Sequence, residues 1–287
     1  MIPEFRHKVT AVETINSPVR ISTEDRVLSL GSCFADGMGR KMTDAGYCIY
    51  SNPFGVLYNP ASIADALTRM ADKKPFTPDD VIPRDTNPVR KDRPAREPSP
   101  LHRPIAPDGG GWVSFHHHGS FARKNPEEFL SAANASLEEA AAALEQAGWI
   151  IVTFGTAWVY RHTVRDIIVS NCHKHPAWEF RRELLGPETI TSLWSPILER
   201  FPDKRFILTV SPIRHKKDGM HGNRISKATL LLSVETLVNT HTNASYFPSY
   251  EIMLDELRDY SWYAEDLVHP SDAAVDYIWQ RFRSTML

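Results

Sequence analysis

Apolar and polar positions along the chain predict strands that alternate with helices. Residues 149–154 form an apolar run that ends at Gly155, a pattern typical of a strand buried in a parallel sheet. Further strands are predicted at 27–30, 47–50, 167–169 and 205–210. Helices are predicted at 34–45, 62–70, 126–147, 177–185, 189–200, 226–239, 250–260 and 272–283. This alternation predicts an α/β fold with a mostly parallel sheet and right-handed crossovers.

A proline-rich stretch, residues 71–111, interrupts the pattern. Its prolines alternate with lysine, arginine and aspartate, and it ends in three consecutive glycines. Because proline lacks a backbone donor, the stretch is unsuited to helices and central strands. We interpret it as an insertion loop in a single domain that spans residues 1–287. A solvated surface loop is the favoured interpretation, and a lid over a site is the alternative.

Composition and charge narrow the choice of protein class. The hydrophobic fraction of 42% is enough for a large core, and the net charge of −2 gives no long-range attraction to nucleic acid or to an anionic membrane. Cys33, Cys48 and Cys172 form no CxxC pair, which favours a reducing compartment. Neither a signal peptide nor an apolar segment long enough to span a bilayer is recognised. We therefore expect a cytoplasmic protein without nucleic-acid or membrane partners.

Ser32 is the first candidate for chemistry, because it stands where the strand at 27–30 gives way to a helix. Ligands of open parallel sheets bind at the carboxyl ends of strands, and the first amides of a helix attract anions. Asp266 and His269 precede the last predicted helix, and their spacing allows the carboxylate to orient the imidazole. A serine needs such a base in order to act as a nucleophile.

Residues 31–35 read Gly-Ser-Cys-Phe-Ala and resemble the signature of the GSCFA family. Further segments that resemble this family are 52–60, 155–160, 171–174, 209–215, 226–228, 250–260 and 266–269. The resemblance covers nearly the whole chain apart from the proline-rich stretch. The family is grouped with the SGNH, or GDSL-like, hydrolases, so the resemblance implies a three-layer α/β/α sandwich.

The resemblance also implies a serine-dependent acyl-ester hydrolase or O-acyltransferase. Ser32 would be the nucleophile, His269 the base and Asp266 the partner of that base. The substrate would be a small or carbohydrate-linked acyl ester, and neither a cofactor nor a metal is expected.

The chain departs from the SGNH pattern in two places, because Leu30-Gly31-Ser32 replaces Gly-Asp-Ser and Gly155-Thr156-Ala157 replaces the Gly-x-Asn of the third block. The missing asparagine normally donates to the oxyanion, and loss of one such donor costs roughly 3 kcal/mol of transition-state stabilisation in other enzymes. Other donors would have to replace it. The candidates are the amides of Ser32 and Gly55, the hydroxyl of Thr156, and the side chains of Asn52, Asn59 and Asn171, with turn formation and helix capping as their alternative roles.

Several other groups have alternative interpretations. Cys33 could be a nucleophile at a helix N-terminus, although a buried apolar role is favoured. His215 follows the strand at 205–210 and could belong to a polar substrate wall, as could Ser211, Lys216, Lys217, Asp218, Asn223 and Lys227. The histidines at 116–118, 173 and 175 lack the spacing of a closed metal site. A non-catalytic module that holds an anionic or glycan ligand at the Ser32 turn is the second hypothesis for function.

Overall fold

The computed structural model describes residues 9–14, 20–84 and 111–287. Its strands are β1 (Arg26–Gly31), β2 (Cys48–Ser51), β3 (Ile82–Pro83), β4 (Trp112–Val113), β5 (Trp149–Phe154), β6 (Trp158–His162), β7 (Ile167–Val169), β8 (Phe180–Leu184), β9 (Arg205–Val210) and β10 (Ala244–Phe247). Its α-helices are α1 (Cys33–Asp44), α2 (Pro60–Ala71), α3 (Pro126–Gln146), α4 (Pro187–Arg200), α5 (Gly219–Thr240), α6 (Ser249–Glu251) and α7 (Asp272–Met286).

A five-stranded parallel sheet with the order β10-β9-β5-β1-β2 forms the centre of the fold. Successive side chains of a strand point to opposite faces, so each buried strand contributes to two cores. Leu28 and Leu30 of β1 pack with α2 to α5 on one face. Val27 of the same strand packs with α1 and α7 on the other face. The predicted α/β fold with helices on both sides of a parallel sheet is therefore confirmed.

The order of the strands locates a crevice at the carboxyl ends of β1 and β5. The chain runs from β1 to β2 on one side, then returns to β5 on the opposite side of β1. Loops that leave neighbouring strands in opposite directions open a space between them, and ligands of doubly wound sheets bind there. Ser32 follows β1, Gly155 follows β5, and Ser211 follows β9 at the same edge.

The predicted helix at 177–185 is wrong. The chain forms a single 3₁₀ turn at Ala177–Glu179 and then β8, which pairs antiparallel with β6 in a three-stranded sheet, β7-β6-β8. Arg182 of β8 stabilises this pairing, because its guanidinium stacks on the ring of Tyr160 of β6 at 4.2 Å and forms an ion pair with Asp218. These contacts join residues distant in sequence, so local periodicity does not reveal them.

The predicted helix at 250–260 is also shorter than expected. One α-helical turn, α6, is followed by a π-helical turn at Ile252–Glu256, in which the amide of Leu257 donates to the carbonyl of Ile252 at 2.9 Å. The wider turn carries the carboxylate of Glu256, which is 2% exposed and accepts a hydrogen bond from the Tyr277 hydroxyl at 2.7 Å. Pairing with a buried donor offsets the cost of burying this acid.

The described flanks of the proline-rich stretch are packed rather than solvated. Phe76 is buried, and its amide and carbonyl both bond to the side chain of Asn134. Residues Ile82–Pro83 pair with Trp112–Val113 in a small antiparallel ladder. Residues 85–110, on which most of the insertion prediction rests, lie outside the described residues. Within the described ranges, no helix is both long and apolar enough to cross a membrane.

Candidate active site

The turn between β1 and α1 requires glycine at position 31. Gly31 has φ of 149°, and a Cβ atom there would lie 2.4 Å from the carbonyl oxygen of Thr153 in β5. The close approach of the two backbones leaves no room for a side chain. The Gly31 amide donates to the Asn52 side chain at 2.8 Å, and its carbonyl accepts from the Leu57 amide at 2.8 Å. These contacts hold the residue that precedes Ser32.

Ser32 is the N-cap residue of α1, but its hydroxyl does not cap the helix. It is 1% exposed, and its Oγ donates to the Oγ of Ser211 at 3.1 Å. Ser211 Oγ also accepts from the amide of Ile213 at 3.3 Å. The two serines thus meet across the carboxyl end of the sheet, although 179 positions separate them in sequence.

Lys227 of α5 lies beneath the same edge of the sheet. Its Nζ donates to the carbonyl oxygens of Gly155 and Ser211, each at 2.6 Å, and the side chain is 1% exposed. Burial lowers the pKa of Lys227 to about 7, while electrostatic interaction with Cys33 acts in the opposite direction. A lysine thus bridges the first carbonyls beyond β5 and β9.

Asp266 and His269 form a hydrogen-bonded pair on the loop before α7. His269 Nδ1 lies 2.7 Å from Asp266 Oδ2, and the other carboxylate oxygen accepts from the amides of Val268 and His269 at 2.8 and 3.0 Å. Burial alone would raise the pKa of Asp266, but these amides and the His269 ring lower it to about 2. The carboxylate therefore holds Nδ1 of the imidazole and leaves Nε2 for another partner.

The loop that carries this pair is anchored to the segment after β9. Lys216 Nζ donates to the carbonyl of Asp266 at 2.6 Å, and the Arg214 amide donates to the carbonyl of Val268 at 3.1 Å. Leu267, in the middle of the loop, has φ of 54° and is 42% exposed. This left-handed conformation turns the chain tightly enough for Asp266 to reach the amide of His269.

The loop and the Ser32 turn border a common cavity. A space of about 310 Å³ is lined by His269 and by Cys33, the residue that follows Ser32. The remaining lining residues are Phe34, Gly37, Arg40, Lys41, Asp44, Ile213, Pro270, Asp272 and Val275. In the part of the chain that the structure describes, no hydrogen bond joins Ser32 to His269, since the Ser32 hydroxyl points to Ser211.

Cys33 is a protonated, buried thiol. Burial raises its pKa to about 11, and the charges of Asp36 and Asp266 raise it further, while the amides of Cys33 and Phe34 act in the opposite direction. The thiolate form is therefore scarce at neutral pH. The geometry favours the apolar role over that of nucleophile.

Most of the candidate oxyanion donors are engaged elsewhere. The amide of Gly55 donates to the carbonyl of Asn52 at 2.8 Å within a turn, and the Asn52 Nδ2 donates to Asp36. The hydroxyl of Thr156 is paired with Ser226 of α5 at 3.0 Å. These residues shape the loops after β2 and β5. Asn59 caps α2 by accepting from the amide of Ser62 at 2.8 Å.

Asn171 and His215 are placed differently. Asn171 lies after β7, outside the parallel sheet, and its Oδ1 accepts from the amide of His173 at 2.8 Å. His215 lies after β9, with its ring edge-on to Tyr58 at 6.2 Å. Burial lowers the pKa of His215 to about 3, and the charges of Lys227, Arg182 and His269 also lower it. His215 is thus a neutral neighbour of the site.

The clustered histidines serve separate structural contacts. His116 pairs with Asp65 at 2.9 Å, and the ring of His173 lies 2.7 Å from the carbonyl of Ser114. His117 is fully buried among the rings of Phe54, Phe76, Phe121 and Phe129. Among residues 9–14, 20–84 and 111–287, no three histidine, cysteine or acidic side chains are grouped so that they could hold a metal ion.

Ser211 and Lys227 were predicted only as members of a polar wall, and their actual partners were missed. The spacing of apolar residues could have indicated that Lys227 is buried. Positions 227, 230 and 234 share one face of the helix, and Leu230 and Val234 on that face are buried. A lysine in such a stripe indicates a buried charge with a specific partner. Ser211 carries no comparable signal beyond its place after a strand.

Comparison with known proteins identifies the family to which the chain is similar. The model of the GSCFA family matches residues 26–282. Neither a curated protein nor a solved structure matches the chain.

Proposed function

The chain belongs to the GSCFA family, and from that premise and the geometry at the end of β1 we propose that it is a serine-dependent acyl-ester hydrolase or O-acyltransferase of the SGNH type. The observation that carries this proposal is the imidazole of His269, which Asp266 orients beside the residue that follows Ser32. An oriented base next to a serine on a strand-to-helix turn is what acyl transfer requires.

In the proposed reaction, the proton of the Ser32 hydroxyl turns from Ser211 toward His269 Nε2, while the Ser32 oxygen stays beside the Ser211 hydroxyl, which can then donate to it. The Ser32 oxygen attacks the acyl carbonyl while Nε2 takes its proton, and the bond to the leaving alcohol then breaks as Nε2 returns that proton to the alcohol oxygen. Water or an acceptor hydroxyl next attacks the acyl-Ser32 ester, again with His269 as the base. Asp266 keeps Nδ1 protonated throughout and stabilises the imidazolium that forms twice per turnover.

The oxyanion would be held at the N-terminus of α1. The first amides of a helix have no acceptor within the helix, and those of Cys33 and Phe34 already lower the pKa of the Cys33 thiol. The engaged states of Gly55, Thr156 and Asn52 make these three less suited to that role.

The cavity beside His269 suits the alcohol part of the substrate, because the base must reach the leaving oxygen. Its lining combines the apolar side chains of Phe34, Ile213 and Val275 with the charged side chains of Arg40 and Asp272. Apolar surface together with a few polar groups fits a small or carbohydrate-linked acyl ester. No cofactor is required by this chemistry.

The anion-binding module is less well supported. A carboxylate holds the imidazole of His269 beside the turn at which an anion would sit. An anion cradle also has no use for a histidine held by a carboxylate. We therefore keep acyl transfer as the single proposed function.

A fluorophosphonate probe, which reacts preferentially with activated serines, tests the proposal without knowledge of the substrate. We expect labelling of Ser32, identified by peptide mass, and none in Ser32→Ala. His269→Ala should lower the labelling rate about 10³-fold and Asp266→Asn about 10²-fold to 10⁴-fold, because the base is lost or held in the wrong tautomer.

The matched control is His221→Ala, an exposed histidine on α5 that should leave the rate unchanged. Equal labelling of the wild type and His269→Ala, with both folded, would contradict the proposed roles. Hydrolysis of p-nitrophenyl acetate by the wild type, lost in Ser32→Ala, would extend the result to turnover.

A further inference from the structure

The buried lysine beneath the site has contacts that a loop-solvation role does not explain. Lys227 Nζ bridges the carbonyls of Gly155 and Ser211, which belong to the first residues beyond two adjacent strands. The ring of Tyr250 lies 5.7 Å from the same nitrogen. The two carbonyl contacts fix the direction in which the chain leaves β5 and β9.

Ser211 is the residue through which Lys227 can reach the chemistry. The Ser211 amide donates to the carbonyl of Phe154 at 2.8 Å, and its carbonyl accepts from Lys227. With both backbone groups of Ser211 held, its Oγ is directed at the Oγ of Ser32. Loss of the lysine would release the carbonyl and allow the Ser211 hydroxyl to turn away.

A charged lysine is a costly choice at position 227. A neutral side chain could donate to the same two carbonyls with a smaller loss of hydration free energy than an ammonium group has. Burial of a lysine disfavours its charged form, and here it moves the pKa to about 7. The lysine is linked to the Ser32 turn by contact, because the residue whose carbonyl it binds also meets the Ser32 hydroxyl. A costly buried charge beside a reactive group is a common mark of a functional site.

We propose that Lys227 is a positioning residue for Ser32, which acts by holding the backbone of Ser211 so that the Ser211 hydroxyl orients the nucleophile. This inference rests on the proposed function. It adds a Ser32–Ser211–Lys227 chain to the Asp266–His269 pair, so that the nucleophile is held from the side of the sheet as well as from the side of the base.

The test uses saturation kinetics of labelling by the same fluorophosphonate probe, which separates the maximal labelling rate from the half-saturating concentration. Lys227→Met should lower the maximal rate about tenfold and leave the half-saturating concentration within about twofold, because the nucleophile is misdirected while the cavity is kept. Ser211→Ala should lower the maximal rate by a similar factor. The double variant should be no slower than the slower single variant, since both changes remove the same contact.

Two results would overturn the inference while the proposed function stands. One is a Lys227→Met rate within about twofold of wild type, and the other is a double variant whose loss equals the product of the single losses. Absence of His269-dependent labelling in the wild type would overturn the proposed function and this inference with it. If Lys227→Met does not fold, Lys227→Arg replaces it, because arginine keeps the charge but moves the side-chain N–H donors away from the two carbonyls. The labelling rates of Lys227→Arg, Ser211→Ala and the double variant are then compared in the same way.

Discussion

The two halves of the candidate site are held in opposite ways. The buried half consists of Ser32, Ser211 and Lys227, none of which is more than 1% exposed. The exposed half consists of Asp266 and His269, whose side chains are 37% and 38% exposed. Residues of the buried half follow β1 and β9 or lie on α5, whereas those of the exposed half lie three positions apart on one loop.

This difference indicates what each half depends on. The buried half exists only when β1, β5 and β9 are paired in register, because its hydrogen bonds cross from one strand end to the next. The exposed half is formed by local hydrogen bonds around Asp266 and needs only a correct loop. We therefore expect changes in the buried half to affect stability and chemistry together, and changes in the exposed half to affect chemistry alone.

The largest expected effect on stability comes from a methyl group at Gly31, in the turn that leads to Ser32. Gly31→Ala should lower the free energy of unfolding by more than about 3 kcal/mol, because the added Cβ meets the backbone of Thr153. Gly46→Ala is the matched control, since Gly46 also has a positive φ, 87°, but a Cβ there meets nothing within 4 Å. It should cost only about 1 kcal/mol.

Urea unfolding of the two variants measures this difference. Equal losses would mean that the positive φ alone, rather than the contact between β1 and β5, makes glycine necessary at position 31.

The second effect is a pH dependence of stability that belongs to Lys227. The pKa of Lys227 is about 7 in the folded protein and 10.5 in its ordinary state, so the unfolded chain binds more protons between these values. Stability should therefore rise with pH above 7 in the wild type, by up to about 1.4 kcal/mol per pH unit, relative to Lys227→Met. Below pH 7, Lys227 is protonated in both the folded and the unfolded chain. The difference in unfolding free energy between the wild type and Lys227→Met should therefore not change with pH there.

The measurement is urea unfolding at pH 7, 8 and 9, a window that ends before the Cys33 thiol ionises in the folded protein. Lys124→Met, at an exposed lysine, is the control and should run parallel to the wild type. A flat difference between the wild type and Lys227→Met across this window would contradict the lowered pKa of the buried lysine.

The same contrast explains how much of the molecule could be predicted from sequence. The strands at 149–154 and 205–210 consist mainly of apolar residues, and the structure confirms both bounds. The 3₁₀ turn and strand at 177–184 were predicted as a helix, because pairing with β6 depends on residues about twenty positions away. Local order could be predicted, but pairing between distant segments could not.

The site follows the same rule. The contact between Asp266 and His269 could be predicted, because a spacing of three positions brings two side chains together on one turn. Ser32 and Ser211 meet only through the order of the strands, which a single sequence does not contain. The amide of Gly55 and the side chain of Asn52 were candidate donors, yet the folded chain engages both in the turn after β2.

The smallest expected effect comes from Leu267, the left-handed residue of the loop between Asp266 and His269. Leu267→Gly should change the free energy of unfolding by less than about 1 kcal/mol, because relief of the positive φ offsets the greater chain entropy of glycine. Leu267→Val, which places a β-branched residue at φ of 54°, should cost about 1 kcal/mol more. Ser32 labelling should stay within about twofold of wild type in the glycine variant, since the bonds of Asp266 do not involve the leucine side chain. A tenfold slower rate in Leu267→Gly would mean that this half-exposed side chain, and not only the backbone that carries it, holds His269 in place.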